Sequence, residues 1–264
     1  RADMMDILKQ ALGENARAML PGLWYDIGDS TGRVRYALMD TVSRLYGENY
    51  CMKLGNWCRA HGVSYIGHVI EQNNTHCRLG AGAGHFFRAL SGQDMAGIDV
   101  VLHEIRPALH GAGHAWSSQD FEADEDFFDF MLAQMAVSCA QLDPKKKGRT
   151  MCEIFGAYGW QEDAGEMRYL ANFLLSRGVN RFSPHAFSMD AFPDPDSPPH
   201  FGTEQNPMMP FISRLFGHMA RVCALISGGR FLYQTAVLYY AEAEWASGTA
   251  GCMKTQAVVK ALNQ

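Results

Sequence analysis

Short apolar runs, many of them β-branched, alternate along this chain with long helical stretches, and each run delivers a polar group at or near its end. The runs are "GLWYD" (Gly22 to Asp26), "SYIGHVIE" (Ser64 to Glu71), "IDVVLHEI" (Ile98 to Ile105), "TMCEIFG" (Thr150 to Gly156), "VNRFSPHAF" (Val179 to Phe187) and "TAVLYYAEAEW" (Thr235 to Trp245). Val34, Leu38, Val42, Leu45 and Tyr46 recur at three-to-four spacing and predict a helix over Arg33 to His61. Further helices are expected over Asp124 to Leu142 and over Gly165 to Arg177, each closing near Gly or a basic residue. Strands alternating with helices imply a parallel sheet, either open and doubly wound or closed as a barrel.

The strand ends choose between the two. A doubly wound nucleotide fold needs a Gly-rich phosphate turn directly after its first strand. Here "GAGAG" (Gly80 to Gly84) follows only after a polar loop and lacks that spacing. Polar groups instead gather at the C-terminal ends of the runs, where a (β/α)8 TIM barrel builds its active site. About six βα units are present where a full barrel has eight, so the expected fold is an α/β barrel incomplete at its N-terminus. Residues 1–230 are read as the partial catalytic barrel, and 231–264 as its last strand or the start of a following Rossmann-like domain. Helical pattern already under way at Arg1 leaves room for an upstream segment. The proline-rich stretch Phe192 to Pro210 is expected as a long ordered loop on the functional rim.

Composition narrows the partners. Over 264 residues, 47% hydrophobic content supplies a packed core, while a net charge of -5 gives no footprint for nucleic acid. The one basic run, "DPKKKGR" (Asp143 to Arg149), reads as a solvated loop. Scattered cysteines without a C-x-x-C pair fit a reducing compartment and point to the cytoplasm. No run of about 18 apolar residues is present to span a bilayer.

Glu153 stands out as a single acid within "TMCEIFGAYGW". With Glu71 it forms the carboxylate pair that glycosidic cleavage needs, one group protonating the leaving oxygen and the other acting on the anomeric carbon directly or through water. Aromatic surroundings raise a carboxylic pKa, and Tyr158 and Trp160 offer flat faces to a sugar ring. Asp26, His68, His103, His185, Asn73, Asn74 and Asn180 complete the candidate substrate contacts. The structural alternative for the two acids is a salt bridge to Arg181 or Arg78. "HGAGH" (His110 and His114) reads as loop because its glycines oppose a helix. No G-x-S-x-G is present for a serine hydrolase. Cys152 is disfavoured as a nucleophile, because neighbouring strand residues point to opposite faces and Cys152 turns away from the side Glu153 occupies.

Several of these motifs together, "YIGHVIEQNNTHCRLGAGAGHFFRALSGQDMAGIDVVLHEI", "EIFGAYGW", "SRGVNRFSPHAF", "NPMMPF" and "VLYYAEAEW", resemble in type and order the catalytic barrel of bacterial glycoside hydrolases similar to the alpha-L-rhamnosidases of family 106. Such enzymes often carry a family 2-type sugar-binding domain. The resemblance runs from about Leu23 to Trp245 and implies a glycosidase with Glu71 as general acid and Glu153 as general base or nucleophile. It also implies calcium as a cofactor, although no calcium ligands match here, and an inverting reaction in which Glu153 activates water. Better-known retaining barrels place acid and nucleophile on strands four and seven, whereas Glu71 and Glu153 are two strands apart. The closing "AVLYYAEAEW" resembles the entry into the Rossmann-like domain of trimerising galactosidases, which would allow a homo-oligomer through a C-terminal domain. The expected partner is an oligosaccharide or glycoside. The other functions weighed are a non-catalytic carbohydrate-binding or scaffolding barrel and a metal-dependent hydrolase built on His68, His103 and His185.

Overall fold

A computed structural model of the chain describes residues 3–69, 74, 82–106, 123–187, 198–202, 206–229, 231–247 and 254–263. In chain order come α1 (Met4–Leu12), α2 (Ala16–Met19), a 3-10 turn (Leu20–Leu23), α3 (Ser30–Tyr46), a π-helical turn (Gly47–Cys51), α4 (Met52–Ala60) and α5 (Phe86–Ala89). The central part holds β1 (Ala96–Val100), a second π-helical turn (Phe127–Leu132), α6 (Ala133–Leu142), a 3-10 turn (Pro144–Lys146), β2 (Thr150–Ile154), α7 (Ala164–Ser176) and β3 (Arg181–Pro184). Helices α8 (Met209–Ile226), α9 (Ala241–Ser247) and α10 (Thr255–Asn263) complete it.

The strands form one parallel sheet in the order β1-β2-β3, with Asp99 opposite Glu153 and Glu153 opposite Ser183. Its core face carries Ile98, Val100, Cys152 and Ile154, all without exposure. Helix α6 packs against β1 and β2, and the main core adds Phe127, Met131, Leu132, Leu170 and Leu174. Helix α7 shows the sequence logic in full. The Asp163 carboxylate accepts from the Glu166 amide at 2.8 Å, capping the first turn, and Met167, Leu170, Ala171 and Leu174 make a buried stripe at helical spacing. The chain then leaves through Gly178 at φ 98, a left-handed position that glycine occupies without steric cost.

An incomplete (β/α)8 barrel of about six βα units is not what forms. Among the described residues the sheet is open and three-stranded. The run Gly22 to Asp26 is the approach to a helix: Pro21 starts a 3-10 turn, and the Asp26 carboxylate accepts from the Gly28 amide at 2.8 Å and the Thr31 hydroxyl at 2.9 Å. The last run is helical from Ala241, where Glu242 and Glu244 occupy the favourable acidic first turn and Trp245 is buried against Met39. Residues 63–69 have no regular secondary structure and add no strand to the sheet. Short apolar runs of this length do not separate strand from buried turn or helix by periodicity. The helix read over Arg33 to His61 forms as α3, the π-helical turn and α4 in succession. Helices α9 and α10, from the segment after residue 230, pack on α3 and on the Phe127–Leu132 turn.

The basic run was expected to be solvated, and Lys146 is not. Its side chain is fully buried, and its ammonium donates to the carbonyls of Leu90 at 2.6 Å and Gln93 at 2.7 Å and contacts Asp143 at 3.0 Å. Burial lowers its pKa, with Asp143 opposing the shift. The lysine ties the loop after α5 to the turn that enters β2.

Candidate active site

Strand alternation decides where Glu153 points. Thr150, Cys152 and Ile154 face the core, so Glu153 emerges on the opposite face with 31% of its side chain exposed. Cα partners in a parallel pair share a face, so Asp99 of β1 and Ser183 of β3 stand beside it in one polar row across the sheet. The row lies one residue before the C-terminal end of β2.

His68 reaches this row from the segment that runs beside β1. The segment is held where the Tyr65 amide donates to Asp94 at 2.9 Å and the Asp94 amide donates to the Tyr65 carbonyl at 2.8 Å. It approaches so closely that a Cβ at Gly97 would collide with the Gly67 carbonyl, which explains glycine at 97. The Nε2 of His68 lies 3.4 Å from Glu153 Oε2, and Nδ1 lies 3.7 Å from Asp99 Oδ1 and 2.9 Å from the Val69 carbonyl. The result is one imidazole between two partly buried carboxylates, with capacity to hold a proton between them.

The other sequence candidates divide. Glu71 and Asn73 lie outside the described residues. Trp160 is 45% exposed and meets His200 edge-on at 5.6 Å, which leaves ring surface for a ligand. His185 follows β3, its amide donating to the Ile154 carbonyl at 2.9 Å, so it sits at the same sheet end as Glu153. Tyr158 has no exposure: its hydroxyl donates to the Ile105 carbonyl at 3.0 Å and accepts from the Ile105 amide, and its ring is core. Burial pushes its pKa well above the usual tyrosine value. His103 is buried with its ring 4.6 Å from Tyr158.

Asn180 works at the opposite end of the sheet. Its side chain accepts from the Thr150 amide at 3.0 Å and donates to the Gly148 carbonyl at 2.9 Å, pinning the start of β2. Asn74 is buried, donating to Glu244 at 3.4 Å and accepting from the Tyr239 hydroxyl at 3.2 Å. Asp26 holds the turn before α3, and those hydrogen bonds keep its pKa low. Arg181, the salt-bridge alternative for Glu153, donates to the Ser227 hydroxyl at 2.8 Å. Asp99 was not among the sequence candidates. Its signal was the one that marked Glu153, a lone acid between buried strand residues.

Two residues beyond Trp160, Glu162 is only 1% exposed, and neither carboxyl oxygen has a hydrogen-bond partner among the described residues. Desolvation, then the nearby Glu166 and Asp163, raise its pKa to about 9. Glu162 is therefore a neutral acid at pH 7.

Among the described residues no group of three or more His, Cys, Asp or Glu side chains is placed to hold a metal ion. Calcium takes 6–8 oxygen ligands. The described residues do not fit the calcium that the family resemblance implied, nor do His68, His103 and His185 converge as a metal centre. No described helix is long and apolar enough to cross a membrane.

No protein-family model matches the sequence, and no curated protein matches it. The fold does match a solved structure. That structure is a rhamnosidase. It comes from Novosphingobium sp. PP1Y and aligns at a TM-score of 0.55 and 15% identity, over 87% of this chain and 21% of the rhamnosidase. At that identity the likeness concerns the fold alone, and the chain spans about a fifth of the rhamnosidase's length.

Proposed function

We propose that the chain is the catalytic part of a glycoside hydrolase, with Glu153 as the carboxylate that activates water or attacks the anomeric carbon. One observation carries this reading: Glu153 projects from the C-terminal half of a parallel strand onto the sheet face away from α6, where His68 engages it. The likeness in fold to a rhamnosidase supports the same class and makes an L-rhamnoside the first substrate to try.

In the inverting form, Glu71 gives its proton to the leaving oxygen as the glycosidic bond breaks. A water oxygen bonds the anomeric carbon, and Glu153 takes the proton that the water releases. Trp160 supplies an apolar face against which a sugar ring stacks. Tyr158, enclosed in the core, takes no part in binding and instead braces the turn after β1.

A panel of 4-nitrophenyl glycosides, α-L-rhamnoside first, tests the reading when product stereochemistry is followed by NMR. Turnover that Glu153→Gln and Glu71→Gln each abolish is expected, with sugar binding kept. Sugar binding without turnover of any glycoside would make the chain a carbohydrate-binding module and refute the enzymatic reading.

A further inference from the structure

We infer that Asp99 and His68 are positioning residues for Glu153, forming an Asp–His–Glu relay across β1 and β2 that holds the Glu153 carboxylate ionised and oriented. The inference rests on the glycosidase reading for its catalytic meaning, and on geometry alone for the relay itself.

The placement of the ring against the two carboxylates leads to it. On one edge, Nδ1 meets the Val69 carbonyl at 2.9 Å and Asp99 Oδ1 at 3.7 Å. Both are acceptors, so Nδ1 carries a hydrogen. On the other edge, Nε2 lies 3.4 Å from Glu153 Oε2. A neutral ring protonated on Nδ1 would set its Nε2 lone pair toward a carboxylate oxygen, a repulsion that a second proton, on Nε2 or on Glu153, relieves. Asp99 decides which. Its negative charge at the far edge favours the imidazolium, and the imidazolium in turn favours an ionised Glu153. Among the described residues, Asp99 from β1 and Glu153 from β2 are the charged groups placed against the ring.

The consequence separates roles that the sequence alone left open. A glutamate held ionised beside an imidazolium is suited to accept a proton from water or to attack carbon, and unsuited to donate a proton to a leaving group. The strand register also makes the arrangement specific. Asp99 and Glu153 are Cα partners, so the register of β1 with β2 sets both carboxylates on the sheet face that the ring occupies.

The experiment pairs side-chain nitrogen NMR with steady-state kinetics on the whole chain and on His68→Ala, Asp99→Asn, Glu153→Gln and the double variant of His68 and Asp99. The expected result is hydrogen on both His68 ring nitrogens at neutral pH, with the Nε2 hydrogen lost in Glu153→Gln. For a 4-nitrophenyl glycoside, kcat in His68→Ala falls by about 10–100-fold, less than a direct acid or base would lose, with KM nearly unchanged. Asp99→Asn, isosteric and so least disturbing to the fold, lowers kcat by a smaller factor, and the double variant is no slower than His68→Ala, because the two act through one path. A singly protonated ring that ignores Glu153→Gln, or additive losses in the double variant, overturns the relay. If the unaltered chain cleaves no glycoside, the glycosidase reading fails by itself, and the ring's protonation still decides the relay.

Discussion

Replacing Glu162 by Gln should make the protein more stable at neutral pH and leave it nearly unchanged near pH 4.5. In the unfolded chain the carboxyl ionises near 4.5, whereas in the fold it holds its proton up to about 9. Its contribution to stability is therefore full below pH 4.5 and is lost as pH rises toward 9. Between those values the unfolded chain releases a proton that the fold retains, so stability declines by about 1.4 kcal/mol per pH unit. At pH 7 the accumulated loss is on the order of 3 kcal/mol. A glutamine has nearly the same shape and cannot ionise, so Glu162→Gln removes the slope. Its amide meets the same unpartnered surroundings that the neutral carboxyl meets, so the two proteins should agree near pH 4.5. Urea denaturation of both at pH 4.5, 7 and 8.5 measures the difference. A gap that widens with pH supports the account, and a gap constant across the three values refutes the reasoning that Glu162 is buried and neutral.

Other substitutions separate bracing from binding. Lys146→Met should cost about 3 kcal/mol, because it leaves the Leu90 and Gln93 carbonyls without their buried donor, and a fall in the urea midpoint reads this. Asn180→Ala should cost about 1–3 kcal/mol through the unpaired Thr150 amide, while KM and kcat for a glycoside stay the same. Tyr158→Phe should lose about 1 kcal/mol of stability with no change in KM, whereas Trp160→Ala should raise KM with the thermal midpoint held.

The helices were legible because their periods were long. Val34, Leu38, Val42 and Leu45 repeat over several turns, and the same holds for the Met167, Leu170 and Leu174 stripe of α7. The strand β2 was legible from its β-branched and apolar content and from Glu153 as its polar exception. Runs such as Gly22 to Asp26 and Thr235 to Trp245 misled because a few apolar residues fit a strand, a 3-10 turn or a helix start equally well, and tertiary contacts decide among them. Barrel closure was inferred from the polar groups at the ends of those runs, so it fell when several of them proved not to be strands. At the site, Glu153 and His68 were nameable one by one. Their meeting with Asp99 depends on strand register, which separates partners by 54 residues along the chain and leaves no local trace. Tyr158 and Trp160 looked equivalent in sequence. Only the fold shows one enclosed beside Ile105 and the other open at the surface.

The central claim is that Glu153 does chemistry on a glycoside, and initial-rate turnover of 4-nitrophenyl α-L-rhamnoside by the unaltered chain and by Glu153→Gln tests it most directly. The account predicts measurable hydrolysis that drops by roughly 10²–10⁴-fold in the variant, with far-UV circular dichroism and thermal midpoint retained. Hydrolysis at the same rate in both proteins would contradict it.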